Sequence, residues 1–172
     1  AFTDRPVPRE VVEELLELAV LAPNHRLTEP WGFLVLGPEA KRALGRVLGR
    51  RKARKVADPA AAEAVRAKVE REVLAVPVIL AVTCAEAEDP EVRAEDSAAT
   101  FMAIENLLIA AAARGLGTHL KTGAVMDDPE LRAALGVEAG RRIVAQIYLG
   151  EPAERPAPRP RTPAAEKTRW LE

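Results

Sequence analysis

Two prolines that bracket a short polar segment, Pro23 and Pro30, constrain this chain more than any other feature. Proline lacks an N–H and its ring crowds the preceding backbone. Pro23 therefore stops the helix before it, and Pro30 is expected to hold Glu29 in an extended conformation. Between them lie Asn24-His25-Arg26-Leu27-Thr28-Glu29, and the apolar run from Trp31 to Leu36 follows as a buried strand. A loop fixed at both ends by rigid elements is where ligand-contacting groups are commonly displayed. This one carries one of only two histidines in the chain.

The rest of the chain alternates between helical and extended patterns. Residues 8–21 place Val11, Val12, Leu15, Leu16, Leu18 and Ala19 on one helical face, with Glu10, Glu13, Glu14 and Glu17 on the other. Gly37-Pro38-Glu39 opens a second helix to about Leu48, with proline at a favourable first-turn position. A basic connector over 50–58 and a third helix over 59–74 follow. Val76–Thr83 is a β-branched run that reads as a strand buried on both faces. The longest helix runs from about Val92 to Arg114, apolar almost all round at its centre, and Gly115 supplies its left-handed cap. Thr118–Gly123 is a short segment carrying His119, Lys121 and Thr122. Asp127-Asp128-Pro129-Glu130 caps a short helix that closes at Gly136, and 143–150 is the last strand. The proline-rich tail is expected to run extended over a surface, its end anchored by Trp170.

A length of 172 residues suits one domain, 1–172, with an extended tail over 151–172. Only 3% of residues are aromatic, so the core must be built from Leu, Val and Ala. The net charge of −1 argues against nucleic-acid and membrane-surface partners, and the basic run Arg50–Lys55 has no interleaved aromatics. It reads as a solvated segment. Cys84 is the single cysteine, most simply a small core residue, which excludes an intrachain disulfide and points to a reducing, cytoplasmic setting. No segment offers the ~18 uncharged apolar residues of a membrane span, and no signal peptide is expected. No GxGxxG, P-loop, CxxC or HExxH pattern is present.

Taken in order, several short motifs resemble one family. Ala-Pro-Asn-His (22–25) followed by Glu-Pro-Trp (29–31) is similar to the loop that nitroreductase-family flavoproteins place against FMN. The opening Ala1–Pro8, the Ala-rich helix into Gly115-Leu116-Gly117-Thr118, Lys121-Thr122-Gly123, Tyr148–Pro152 and Arg161-Thr162-Pro163-Ala164-Ala165-Glu166 before Trp170 complete the set. The resemblance spans nearly the whole chain. It implies an α+β fold with a central, mainly antiparallel sheet flanked by helices, in a domain-exchanging homodimer with FMN at the subunit interface. It also implies hydride transfer from NADH or NADPH and ping-pong reduction of nitroaromatics, quinones or similar small-molecule acceptors. A non-catalytic flavin-binding homodimer is the alternative.

The same resemblance nominates cofactor-binding residues. They are Pro23, Asn24 and His25 in the loop, Lys121, Thr122 and Gly123 after the long helix, and Arg161 in the tail as a phosphate ligand, with Arg159 competing for that role. A lysine near the flavin N1/C2 edge would favour the anionic reduced flavin. His119 is expected to pack locally, and Trp31 to anchor the core or a subunit contact. No metal and no catalytic acid or base is expected. Two departures stand out. The family's Arg-Arg-Ser phosphate clamp would fall before Ala1, and Glu29 stands where relatives carry Gln, which an ionised carboxylate cannot replace as a donor.

Overall fold

Proline and aspartate set the helix starts. The computed structural model describes residues 1–154 and 157–171. Helices α2 (Pro38–Ala53), α3 (Pro59–Leu74), α4 (Pro90–Ala113) and α5 (Pro129–Ala134) all begin on proline, whose missing N–H costs nothing in a first turn. Asp58, Asp89 and Asp128 stand just before three of them and accept hydrogen bonds from the free first-turn N–H groups. Only α1 (Arg9–Ala19) starts without such an Asp-Pro or Gly-Pro pair.

Four strands form one antiparallel sheet in the order β1 (Trp31–Val35), β2 (Val78–Ala85), β4 (Arg141–Gly150), β3 (Gly117–Lys121). This is the expected α+β architecture. Alternate residues of β2 divide between two apolar layers, as the two-residue period of a strand requires. Val78, Leu80, Val82 and Cys84 pack against Leu15 and Ala19 of α1 and Ile104, Leu107 and Ala111 of α4. Ile79 and Ala81 face Leu44 and Val47 of α2, Val69 and Val73 of α3, and Leu131 of α5. The register of β2 against β4 slips between Val82 and Thr83. The extra residue, Val144, joins Ala145 in the α1/α4 layer, a β-bulge in an otherwise alternating strand. Helices α2 and α3 approach closely because Gly45 sits where a Cβ would lie 2.9 Å from the Glu70 backbone.

Several boundaries differ from expectation. The basic run is not a connector: α2 continues through Arg50, Arg51 and Lys52, where cations complement the negative end of the helix dipole. Arg50 pairs with Glu130, and Lys52 lies 3.9 Å from Glu72. Strand β2 starts at Val78, after Pro77, which cannot donate to a ladder. The segment at 117–121 is a true edge strand, held by β4 alone. Over an 18-residue window α4 reaches a mean hydropathy of 1.2, enough for a membrane crossing by length and composition. Here Ala99, Ala103, Ile104, Leu107 and Ala111 seat it against the sheet, while Phe101, Met102 and Ile109 face outward.

Candidate functional site

The segment between Pro23 and Pro30 is a single turn of 3-10 helix, His25–Leu27, with an unusual backbone. Arg26, Leu27 and Glu29 have φ of 61°, 53° and 44°, and they are the only non-glycine residues with positive φ among those described. Each costs on the order of 1 kcal/mol, and such strain persists only where surrounding contacts impose it. Glu29 was expected to be extended before Pro30. It is left-handed instead, because its N–H is drawn to the Asn24 side-chain oxygen at 3.0 Å. Asn24 thus closes the loop on itself.

Helix α4 supplies the external clamp. Thr28 Oγ1 donates to Asp96 Oδ1 at 2.6 Å, and Asp96 is buried. One residue earlier, both carboxylate oxygens of Glu95 lie 2.9 Å from His25 Nδ1. At the exit of the loop, Arg141 of β4 donates to the Pro30 carbonyl at 2.7 Å and to Thr83 Oγ1 at 3.1 Å. None of Glu95, Asp96, Thr28 and Arg141 emerged from sequence reasoning. The available signal was a Glu-Asp pair in the second turn of the long helix, ahead of its mainly apolar centre.

The second group of nominated residues lies on the far edge of the sheet. Lys121 ends β3, and its Nζ sits 4.0 Å above the centroid of the Tyr148 ring. Partial burial lowers the Lys121 pKa, and the nearby Lys52 lowers it further, opposed by Glu72. Burial also pushes the Tyr148 hydroxyl up to about 12. That hydroxyl and Gln146 Nε2 are buried without a partner among the described residues. His119 stacks edge-on to Tyr148 at 6.4 Å, the local packing expected of it. After Lys121 the N–H groups of Thr122, Gly123 and Ala124 find no acceptor among the described residues. Gly123 has φ of 116°, a conformation open to glycine.

The two groups do not meet within one chain. Three strand spacings separate β1 from β3, about 14 Å across the sheet. Both nevertheless face one end of it: the loop feeds Trp31, paired with Cys84, and β3 runs toward the end of β4 that begins at Arg141. Arg161 joins neither group and, among the described residues, donates only to the Pro160 carbonyl. Residues 157–171 are exposed throughout. Trp170, expected to anchor the tail, is 88% exposed within this chain, while Trp31 packs against the α1/α4 layer and Cys84 is a buried core residue.

Comparison with known proteins follows the same lines. A Bacillus subtilis protein, YfhC, with a provisional NAD(P)H nitroreductase assignment, is 34% identical over 167 residues, 96% of this chain and 85% of its own. A nitroreductase-like family protein from Bacillus cereus has a crystal structure superposing with a TM-score of 0.84 at 29% identity, covering 100% of this chain and 89% of that one. A Bacteroides fragilis nitroreductase solved with bound FMN shares the fold at a TM-score of 0.73 and 23% identity, over 100% of this chain and 92% of that one. The profile of the Nitroreductase family matches residues 1–151. A Pro-Asn-His loop on one sheet edge and Lys-Thr-Gly on the other thus stand in a matching fold, and the chain belongs to the Nitroreductase family.

Proposed function

We propose that this protein is an FMN-dependent NAD(P)H oxidoreductase, acting as a homodimer on nitroaromatic, quinone or similar small-molecule acceptors. The observation that carries this reading is the placement of the His25 loop and the Lys121-Thr122-Gly123 segment at one end of the sheet but on opposite edges, in a chain of the Nitroreductase family. A second subunit, bringing its Lys121-Thr122-Gly123 edge to the His25 loop, would close one site from two halves.

The donor set suits FMN. Three unpaired backbone N–H groups over 122–124 fit an acceptor-rich ring edge. Lys121 supplies a point charge, and Arg161, which joins neither group within this chain, would offer a guanidinium fork for phosphate only if the tail brings it to the site. His25 presents an uncommitted Nε2. Bound FMN would supply the hydride and electron chemistry. The chain would bind, orient and shield it, with Lys121 stabilising negative charge near it and Pro23 and Asn24 holding the loop against it. The outward apolar residues Leu18 of α1, Leu21 just beyond it, and Phe101, Met102 and Ile109 of α4 would supply a surface for the partner.

Absorbance spectroscopy tests the reading. Purified protein, reconstituted with FMN, should be yellow and should bleach anaerobically on addition of NADH or NADPH, recovering on addition of a quinone or nitroaromatic. Failure to take up FMN refutes the reading. Uptake without bleaching leaves the non-catalytic flavin-binding homodimer.

A further inference from the structure

The contact between α4 and His25 defines the chemistry that the histidine can present. Both oxygens of Glu95 lie 2.9 Å from His25 Nδ1. An ionised carboxylate only accepts hydrogen bonds, so Nδ1 carries the proton. In the neutral imidazole the other nitrogen, Nε2, is then a bare lone pair. It makes no hydrogen bond among the described residues. A free imidazole has no such constraint, and the identity of the protonated nitrogen is set by the bond the other one makes.

The clamp does not rest on Glu95 alone. The adjacent Asp96, 4% exposed, holds Thr28 three residues further along the same loop. Asn24 closes the loop from within. Left-handed backbone at Arg26, Leu27 and Glu29 is thereby imposed immediately after His25. The ring is held through its own nitrogen by Glu95, and the loop that carries it is held three residues on, where the Thr28 hydroxyl donates to Asp96.

We propose that Glu95 is a positioning residue that holds His25 in the Nδ1–H form and presents Nε2 as an acceptor to a hydrogen-bond donor of the cofactor. Such a donor is available on FMN as the isoalloxazine imide N–H or a ribityl hydroxyl, so the second half of the proposal rests on the flavin reading. Removing the carboxylate frees the ring to carry its proton on Nε2, where it would set a donor against a donor.

The chain holds only two histidines, so imidazole nitrogen NMR of 15N-histidine-labelled protein resolves the question without the cofactor. With the ring neutral, the wild-type His25 signals should report Nδ1–H with Nε2 bare, and a His25→Ala spectrum assigns them. Glu95→Ala should move His25 toward the Nε2–H form. Its FMN dissociation constant should rise by roughly fivefold, the upper return of an exposed ion pair. Glu95→Gln, whose amide oxygen still accepts from Nδ1, should retain the wild-type tautomer and recover most of the affinity. A wild-type His25 protonated on Nε2, or a Glu95→Ala tautomer equal to wild type, overturns the assignment. A tautomer switch with unmoved FMN affinity overturns the positioning role. A tautomer switch in protein that takes up no FMN refutes the flavin reading and supports Glu95 as the group that sets the ring.

Discussion

The left-handed turn after His25 stores energy that one substitution can release. Leu27 has φ of 53° and is 82% exposed, so its side chain contributes little burial to set against its backbone strain. A left-handed L-residue costs roughly 1–2 kcal/mol, and glycine removes that cost. Glycine also enlarges the unfolded ensemble, at a cost of roughly 0.5–1 kcal/mol. Leu27→Gly should therefore stabilise the chain by about 0.5–1 kcal/mol. For a chain of this length that raises Tm by roughly 1–4 °C. Urea denaturation of the apo protein at one fixed protein concentration measures it, since association makes apparent stability concentration-dependent. Leu21→Gly provides the opposite sign: Leu21 is 72% exposed and is not among the residues with positive φ, so glycine there has no strain to relieve. A Leu27→Gly variant less stable than wild type by 0.5 kcal/mol or more (about the smallest glycine cost) would refute the claim that the loop is strained.

Two further outcomes concern the far edge of the sheet. Tyr148 is the only tyrosine, so tyrosinate absorbance follows it alone, and its hydroxyl should titrate near the value of about 12 to which burial raises it from 10.0. Between those two values the unfolded chain has lost a proton that the folded chain keeps, so stability falls as pH rises through that window. Tyr148→Phe should flatten this slope and, by removing a buried hydroxyl with no partner, be neutral or slightly stabilising at pH 7. A loss above ~1 kcal/mol would reveal a hydrogen bond the hydroxyl makes. Lys121→Ala should raise the FMN dissociation constant about fivefold, the scale of a partly screened charge, or slow flavin reduction; unchanged values for both would remove Lys121 from the proposed site.

The sequence made the scaffold more legible than the clamp. Helix α1 was readable because its apolar and acidic residues separate cleanly at a 3.6-residue period, and β2 because a β-branched run of that length is buried on both faces. The edge strand β3 was not, since Gly117, His119 and Lys121 carry little strand preference and the segment is held extended by pairing with β4. Extension of α2 through its arginines was hidden for a similar reason: composition suggested solvent, while partners at Glu130 and Glu72 come from elsewhere in the fold. At the loop, proline spacing located the turn but could not give its handedness. Proline at 30 only disfavours the right-handed region at Glu29, and the choice among the remaining conformations was made by Asn24, five residues back.

Sequence order alone also leaves the proposed site incomplete. Pro23-Asn24-His25 and Lys121-Thr122-Gly123 read as one pocket when taken as motifs, yet β2 and β4 stand between their edges. A ligand touching both from one chain would have to bridge about 14 Å across the buried centre of the sheet. Two chains related by a dyad remove that obstacle, since each then contributes a different edge to each site. On this reading the clamp and the dimer are linked. The His25 loop is shaped by Glu95 and Asp96 of α4, and Phe101, Met102 and Ile109 on the same helix are exposed for a partner. A single rigid helix would then set both the histidine and the surface that brings the second half of its site into place.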